Sequence, residues 1–419
     1  MNVTDAHNFE QSYRAHSSVL DDPFYTVPPE SAYAAAGSLL KVEVSTNTSL
    51  YTLPPNLSLS RFMYQSKKSN GSLVPVSGYI LWPYAAKSNN NKGYPMVAWA
   101  HGTSGSAAEC APSNIQFLWH QFQAPYQLAL NGYVVVATDY AGLGVSRDAA
   151  GQPIVHEYLN RAIQATDLYY SIPAAQQAFP ELSREFIAAG QSQGGGTVWS
   201  FAQKVVSEPL PGHLGTVALS PGTSLFDLPT DQPIIKIVLL YLVPNLRANY
   251  PDFNPTDIFT PVGMQSLQTL TELQGCSNLV SQLIESDILK QGWQNNLSIQ
   301  EFNKVSTTGT QAIGGPMLVL QGEADPVVNA PKVEAAINDT ITKFPDSQIE
   351  FHLMPNVTHA PIMYAGLPIY LQWISSRFAG EPVKAGFQNF TATLARPTAI
   401  YEADANWFIQ KQSESYQVA

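Results

Sequence analysis

The amino-acid sequence alternates short apolar runs with longer amphipathic stretches, and this alternation restricts the fold more than any other feature. Residues 95–100, 133–140 and 316–323 are apolar along most of their length, as strands are when both faces of a parallel sheet are covered. Residues 160–179 and 331–344 have the length and the residue types of helices. Strands that alternate with helices predict an α/β fold.

The alternation is interrupted in one long block, where helical pieces separated by prolines take its place. We therefore predict a helical cap, residues 223–312, inserted into an α/β core of residues 75–222 and 313–395. Residues 1–74 are rich in Pro, Ser, Tyr and Asn and have little periodicity, so we expect an N-terminal extension packed on the core. Residues 396–419 are expected to form a C-terminal tail.

The charge and the apolar content exclude several classes of protein. The formal net charge is −11, from 21 Lys and Arg and 32 Asp and Glu, which argues against a nucleic-acid-binding protein. With 45% hydrophobic residues the chain is not expected to be disordered. No apolar run reaches the roughly 18 residues that a membrane span needs. The nearest run, residues 233–243, is interrupted by Lys236 and is interpreted as a buried helix or strand, or as an apolar cap segment facing a hydrophobic substrate.

The two cysteines and the glycosylation sequons bear on the compartment. Cys110 and Cys276 form neither a zinc motif nor a redox motif, and we expect no metal and no cofactor. Eight Asn-x-Ser/Thr sequons occur, where composition alone would give roughly three or four. With no leader at its start, the sequence is interpreted as a mature secreted eukaryotic protein; an Asn-rich surface with accidental matches is the alternative. The glycosylation candidates are Asn47, Asn56, Asn70, Asn296, Asn338 and Asn389.

A Gly-x-Ser-x-Gly motif at residues 190–194 provides a candidate nucleophile, Ser192. It follows a predicted strand, 185–190, and precedes a predicted helix, 194–208, which is the setting of a nucleophile elbow. Such a turn lifts the serine hydroxyl above the sheet, at the helix end that favours negative charge. The alternative interpretation is a glycine-rich turn before a helix.

A serine hydroxyl needs an imidazole to accept its proton and a carboxylate to orient that imidazole. Asp325 lies in the turn after strand 316–323 and is the predicted acid, with Glu323 as its competitor. His359 lies after the last predicted strand and is the predicted base, because the chain order in this fold is serine, acid, histidine. His352 lies inside that strand and is expected to contribute to packing.

The oxyanion hole is predicted to use two backbone N–H groups, those of Gln193 and Thr103. Gln193 directly follows the nucleophile, and Thr103 lies in the glycine-containing loop 101–105 after strand 95–100. His101 in the same loop precedes the nucleophile and has no neighbouring ligand residues, so we expect a structural hydrogen-bonding role for it.

Four segments in this order carry a family resemblance: ECAPS (109–113), ATDYAGLG (137–144), GQSQGG (190–195) and GEADPVV (322–328). Together with the loop histidine, they make the chain similar to the fungal secretory lipases of the lipase A type, from about residue 75 onward. The resemblance implies an α/β-hydrolase fold with a helical cap that shelters a tunnel for an acyl chain. It also implies a disulfide between Cys110 and Cys276 that ties the cap to the core.

These residues predict a serine hydrolase that cleaves carboxylic esters of hydrophobic acyl chains through an acyl-enzyme. The expected partners are a hydrophobic ester substrate and, transiently, a lipid interface. One alternative is an acyltransferase or a lactone-forming enzyme of fungal secondary metabolism that uses the same three residues. A second alternative, from another class, is a non-catalytic relative that binds lipids or polyketides. A peptidase is not favoured, because nothing in the sequence suggests a site for a charged peptide terminus.

Overall fold

A computed structural model describes residues 3–87, 92–119, 123–230, 232–284, 287–401 and 414–417. Within these ranges one sheet of ten strands is surrounded by eleven α-helices. The strands are β1 (Leu39–Glu43), β2 (Ser58–Lys67), β3 (Leu73–Trp82), β4 (Tyr94–Ala100), β5 (Val134–Thr138), β6 (Leu182–Gln191), β7 (His213–Leu219), β8 (Met317–Gly322), β9 (Ile349–Met354) and β10 (Phe387–Thr391). The helices are α1 (Val3–Ser12), α2 (Ala124–Leu130), α3 (Arg161–Ala178), α4 (Gln193–Ser207), α5 (Pro233–Asn249), α6 (Pro261–Glu272), α7 (Ser277–Val280), α8 (Leu297–Ser306), α9 (Ala330–Lys343), α10 (Ile362–Ala365) and α11 (Leu367–Phe378).

The strand order in the sheet is β1-β2-β3-β5-β4-β6-β7-β8-β9-β10. From β5 to β10 the neighbouring strands are parallel, whereas β1, β2, β3 and β5 pair antiparallel in that order. From β4 the chain goes first to β5 on one side and then to β6 on the other. In an α/β sheet this reversal leaves a crevice at the carboxyl ends of the strands, where ligands bind.

Apolar clusters on both faces of the sheet account for the apolar strands predicted from the sequence. Along β5, Val134 and Val136 belong to one cluster, and Val135 and Ala137 belong to the other. Helices α3, α4 and α9 contribute to the first cluster, and helices α2, α10 and α11 contribute to the second. Because successive side chains of a strand point to opposite faces, a strand covered twice must be apolar throughout.

The sheet begins earlier than predicted, because residues 39–67 contribute β1 and β2 instead of belonging to an extension packed on the core. Strand β2 pairs with β3 along its whole length, from Ser58 opposite Trp82 to Lys67 opposite Leu73. The polar side chains between its two ends are buried as well, and Arg61 forms ion pairs with Asp22 and Glu43. Polar residues on a covered strand remove the apolar signal by which the other strands were predicted.

Helices α5 to α8 come from the segment predicted as a cap, and they share an apolar cluster of their own that includes Leu239, Phe259 and Phe302. The apolar run at residues 233–243 forms the first part of α5 and is largely buried, as one interpretation of the sequence expected. No helix among the described residues has both the length and the apolar content to cross a membrane. Below, the cap denotes helices α5 to α8 with the segments that join them. The limits of the predicted unit, residues 223–312, stay a prediction.

Helix α1 packs on the cap. Ala6 of α1 belongs to the apolar cluster of the cap, and Tyr13, just after α1, donates a hydrogen bond of 2.5 Å to Asn278 of α7. The tail segment 414–417 reaches the same place, since the Asn278 side chain donates to the carbonyl of Tyr416 at 2.6 Å. The residues of the predicted tail between 402 and 413 lie outside the described residues.

Candidate active site

Ser192 occupies a sharp turn between β6 and α4. Its backbone has φ 59° and ψ −119°, a conformation that residues with a side chain rarely adopt. The turn is fixed by the backbone, because the Ser192 N–H donates to the Leu219 carbonyl at 3.0 Å. The Ser192 carbonyl accepts from the N–H groups of Gly196 and Gly222 at 3.0 and 3.1 Å.

The glycines of the motif are required by close backbone approach. A Cβ atom at Gly194 would lie 1.9 Å from the carbonyl oxygen of Ala100, at the end of β4. A Cβ atom at Gly190 would lie 2.4 Å from the Gly194 carbonyl oxygen. The turn can therefore press against the neighbouring strand only with glycine at these two positions.

The structure brings Ser192, His359 and Asp325 together in one hydrogen-bonded row. His359 lies in the loop between β9 and α10, with its Nε2 atom 2.8 Å from the Ser192 hydroxyl. The Nδ1 atom of His359 lies 2.7 Å from an Asp325 carboxylate oxygen. The Asp325 side chain is fully buried, whereas the His359 side chain keeps 18% of its surface exposed. A proton can thus pass between the serine and the imidazole in a site that is open on one side.

The Asp325 carboxylate is held by the turn that follows β8. One oxygen accepts from the N–H groups of Val327 and Val328, both at 2.8 Å, and the other accepts from the Gln321 side chain at 3.3 Å. Burial raises the pKa of this carboxyl. The adjacent His359 and the backbone hydrogen bonds lower the pKa by more than burial raises it, so it lies below the ordinary value. The carboxylate is therefore ionised when it faces the imidazole.

The two competing residues lie elsewhere. Glu323 is exposed and accepts a hydrogen bond from the backbone N–H of Asn356 at 3.3 Å. His352 lies in β9, with its Nε2 atom 2.8 Å from Glu350 and its ring stacked on Phe390 at 4.9 Å. Neither residue is in the hydrogen-bonded row.

The two predicted oxyanion-hole residues are neighbours in space. The Thr103 hydroxyl donates to the side-chain oxygen of Gln193 at 3.0 Å, although the residues are 90 positions apart. Within the described part of the chain, neither of their backbone N–H groups donates to an acceptor. Both N–H groups are therefore free for a substrate oxygen, and their catalytic role stays a prediction.

His101 is buried beside this loop. Its ring lies 4.4 Å from the Tyr140 ring, its Nδ1 atom is 2.6 Å from the Gly102 carbonyl, and its Nε2 atom is 3.2 Å from the Asp139 carbonyl. Burial lowers the pKa of His101 to about 4, so the ring is neutral at physiological pH. These contacts fit the structural role expected from the sequence.

The cap holds the loop 101–105 directly. A disulfide joins Cys110 to Cys276, which directly precedes α7, and Gly105 forms an isolated β-bridge with Cys276. Ser277 donates from its N–H to the Ser104 carbonyl and from its hydroxyl to the Thr103 carbonyl, both at 3.2 Å. The loop is therefore fixed to α7 through its backbone as well as through the disulfide.

Helix α7 is in turn held by Glu10 of α1. The two Glu10 carboxylate oxygens accept from the N–H groups of Cys276 and Leu279 at 2.9 and 2.6 Å. Glu10 is fully buried, and burial raises its pKa to about 7 although these hydrogen bonds lower it. A carboxylate placed at the N-terminal end of a helix satisfies N–H groups that have no partner within that helix.

Four residues of this arrangement were not predicted: Glu10, Ser277, Gln321 and Tyr158, whose hydroxyl lies 2.9 Å from the Thr103 hydroxyl. The sequence holds a signal for Gln321, since an amide at the end of an otherwise apolar strand indicates a polar contact there. It holds none for Glu10, Tyr158 and Ser277, because their partners are distant in sequence and the segments that contain them have no motif.

The described residues contain no group of three or more His, Cys, Asp or Glu side chains arranged to hold a metal ion. The glycosylation candidates differ in exposure. Asn296 is half-buried, and the other five are exposed: Asn47, Asn56, Asn70, Asn338 and Asn389. Asn2, which also begins a sequon, lies outside the described residues.

The mostly parallel sheet and the serine at its nucleophile elbow define a serine hydrolase with the α/β-hydrolase fold. The chain belongs to the Hydrolase_4 family, described as serine aminopeptidase S33, whose sequence model matches residues 121–363, more than half of the chain. No curated protein matches this sequence.

Solved structures similar to this one include two of Candida antarctica lipase A. One has a TM-score of 0.70 and 18% identity and covers 88% of each chain. The other, in its closed state, has a TM-score of 0.69 and 17% identity and covers 91% of each chain. The rice cell wall degrading esterase LipA from Xanthomonas oryzae has a TM-score of 0.63 and 17% identity, over 82% of this chain and 98% of that chain. At these identities the likeness shows a shared fold, which confirms the predicted α/β-hydrolase fold and the resemblance to the lipase A type.

Proposed function

We propose that the protein hydrolyses carboxylic esters of hydrophobic acyl chains through an acyl-enzyme. The observation that carries the proposal is the row of hydrogen bonds from Ser192 through His359 to Asp325. This row pairs a hydroxyl with a base, and the base with a buried carboxylate. Such an arrangement activates a hydroxyl for attack on a carbonyl carbon.

In the proposed mechanism, His359 Nε2 accepts the proton of Ser192 as its Oγ atom bonds to the ester carbonyl carbon. The negative charge on the carbonyl oxygen is stabilised by the N–H groups of Gln193 and Thr103. Collapse of this intermediate breaks the bond to the alcohol oxygen, which takes the proton from His359. Water then attacks the acyl-enzyme with His359 again as base, and the carboxylic acid is released as Ser192 regains its proton. Asp325 stays ionised and orients the imidazole.

Two observations support a hydrophobic ester as the substrate. The solved structures that share the fold include a lipase and an esterase. A groove of about 220 Å³ between the loops after β4 and β5 and helices α5 and α6 is lined mostly by apolar side chains, among them Ile154, Leu240 and Leu267. The groove is at the edge of the sheet where Ser192 lies, because β4, β5 and β6 are parallel.

Substrate panels test the proposal. We expect turnover of p-nitrophenyl esters that improves with acyl length, turnover of triglycerides, and loss of both in Ser192→Ala. Amino-acid p-nitroanilides belong in the same panel, because the family is described as an aminopeptidase. Cleavage of the anilides without cleavage of the esters would contradict the proposal. A competing alcohol in the assay separates hydrolysis from acyl transfer, since hydrolysis predicts the free acid as the main product.

We also propose that the protein is a secreted glycoprotein of fungal origin. The disulfide supports export, since such bonds persist in oxidising compartments, and the five exposed sequon asparagines support glycosylation. Mass spectrometry before and after deglycosylation, on protein from a eukaryotic host, tests this. We expect glycans on exposed asparagines and none on Asn356, which is close to His359. A protein without any glycan would contradict the proposal.

A further inference from the structure

A buried tyrosine is connected to both residues of the proposed oxyanion hole. The Tyr158 hydroxyl lies 2.9 Å from the Thr103 hydroxyl, which lies 3.0 Å from the side-chain oxygen of Gln193. Tyr158 is 1% exposed and Gln193 is 3% exposed. These three side chains form a hydrogen-bonded relay between a loop after β4 and the residue that follows the nucleophile.

The direction of each hydrogen bond in the relay follows from the position of the Gln193 side-chain oxygen, which faces the Thr103 hydroxyl. The Gln193 oxygen can only accept, so the Thr103 hydroxyl donates its one proton there. The Thr103 oxygen must then accept from Tyr158. Burial raises the pKa of Tyr158, and this outweighs the lowering by the hydrogen bond with Thr103, so the phenol keeps its proton at physiological pH. The relay therefore needs a proton donor at position 158, and phenylalanine cannot supply one.

The cap holds Tyr158 in place. The Asn245 side chain of α5, itself buried, donates to the Tyr158 carbonyl at 2.9 Å. The Tyr241 ring of the same helix packs edge-on against the Tyr158 ring at 5.7 Å. With both its backbone and its ring fixed, Tyr158 can direct its hydroxyl at Thr103 without losing conformational freedom during the reaction.

We propose that Tyr158 is a positioning residue of the oxyanion hole, which it aligns through the hydroxyl of Thr103 and the side chain of Gln193. The inference rests on the proposed function, because it assumes that the N–H groups of Thr103 and Gln193 stabilise an oxyanion. Donors aimed in advance at the developing charge accelerate acyl transfer, and donors displaced from that position lose this effect. Tyr158 touches neither the substrate nor Ser192 in this role.

The first test is the kinetics of Tyr158→Phe against a matched control, Tyr51→Phe. The Tyr51 hydroxyl is also buried and donates one hydrogen bond, to the Ser113 carbonyl at 2.8 Å, but it has no contact with the relay. We expect Tyr158→Phe to lower kcat about tenfold with KM within about twofold, because alignment acts on the transition state. Tyr51→Phe should lose comparable stability and keep kcat. Equal kcat values for both variants would overturn the proposal.

A second test uses Thr103, which remains informative if Tyr158→Phe folds poorly. Thr103→Ser keeps the hydroxyl and should retain most of the wild-type kcat, whereas Thr103→Val removes it and should lower kcat about tenfold. In the double variant of Tyr158→Phe and Thr103→Val, the loss should match that of Thr103→Val alone, because one relay is removed in both. Additive losses would contradict the relay.

The third measurement separates failure of this inference from failure of the proposed function. A fluorophosphonate reacts with Ser192 and develops negative charge on a phosphoryl oxygen, so it needs no ester turnover. We expect its second-order rate constant to fall about tenfold in Tyr158→Phe and to stay unchanged in Tyr51→Phe. If the wild-type protein turns over no ester but Tyr158→Phe is labelled slowly, the result supports the relay and rejects the ester substrate. Wild-type labelling rates would reject the relay.

Discussion

The two halves of the candidate site are built in different ways. The half with Asp325 and His359 is held by loops that directly follow β8 and β9, and the carboxylate is fixed by N–H groups of its own turn. The half with Thr103 is held from outside the sheet, by Ser277 of α7, by the disulfide and by the Tyr158 hydroxyl. The half proposed to transfer protons therefore depends on the core, and the half proposed to stabilise charge depends on the cap and on α1.

This difference predicts that the two halves can be damaged separately. Changes in the cap should lower the stabilisation of the oxyanion while the hydrogen bonds among Ser192, His359 and Asp325 remain. Changes in the loops after β8 and β9 should abolish proton transfer while the cap stays folded.

Asp325→Asn should lower kcat by about 10⁴-fold, because the amide cannot hold the imidazole in the required tautomer and cannot stabilise its charged form. Stopped-flow or steady-state ester hydrolysis measures this loss. Glu323→Gln is the matched control, since this acid is two residues away and exposed, and we expect its rate within twofold of wild type. A larger loss for Glu323→Gln than for Asp325→Asn would reverse the assignment of the acid.

Replacing Cys110 and Cys276 together by alanine should lower the free energy of unfolding by about 4 kcal/mol, because the disulfide closes a long loop of the unfolded chain. The sequence separation is 166 residues. Urea unfolding measures the loss. We also expect kcat to fall about tenfold at urea concentrations below the unfolding transition, because loop 101–105 loses one attachment to the cap. An unchanged kcat would mean that the hydrogen bonds of Ser277 hold loop 101–105 in place without the disulfide.

Glu10→Gln should change how stability depends on pH. The pKa of Glu10 is about 7 in the folded protein against 4.5 for a free glutamate, so the folded state binds more protons between these values. This group therefore makes the protein less stable as pH rises from about 4.5 to about 7, by about 3 kcal/mol in total. Glu10→Gln should remove its share of the slope in unfolding experiments at pH 5 and pH 7.

Asp167, another buried carboxyl, is a positive control for this dependence of stability on pH. Burial raises the pKa of Asp167 to about 7, although hydrogen bonds from the Ser66 hydroxyl and the Ala141 N–H lower it. It lies in α3, its carboxylate accepts from β2 and from the loop after β5, and Asp167→Asn should flatten the slope in the same direction. A slope that is unchanged by Glu10→Gln would show that Glu10 is ionised in the folded protein at pH 5.

Ser277→Ala should have the smallest effect. It removes the hydroxyl that donates to the Thr103 carbonyl and keeps the N–H that donates to Ser104. A single neutral hydrogen bond contributes about 1 kcal/mol, so we expect a loss of two- to fivefold in kcat with the fold intact. Fluorophosphonate labelling should fall by the same factor. If the loss were as large as that of Asp325→Asn, the two halves would not be separable.

Local patterns sufficed to predict the parallel strands other than β10, and the row of three side chains. Ser192, Asp325 and His359 each follow a strand that is apolar enough to recognise, and parallel strands bring their carboxyl ends to one edge. Position along the chain therefore translated into position in space. The catalytic roles of these residues stay predictions until the variants are measured.

Strands β1 and β2 were missed because their stabilisation depends on partners far away in sequence. Arg61 is buried in β2 only because Asp22 and Glu43 neutralise its charge, and no local pattern reveals such a pairing. The same reason applies to Tyr158 and Glu10, whose contacts join loops, cap and α1 across 55 to 269 positions. Sequence periodicity reports burial, and it does not report which polar groups meet.

The positive φ of Ser192 has a consequence for heat tolerance. Glycine adopts this backbone conformation without steric penalty, whereas serine holds it against its own preference. An inactive Ser192→Gly protein should therefore melt at a higher temperature than the active enzyme. Ser192 would then be a position where the residue that gives reactivity lowers the thermal stability of the chain.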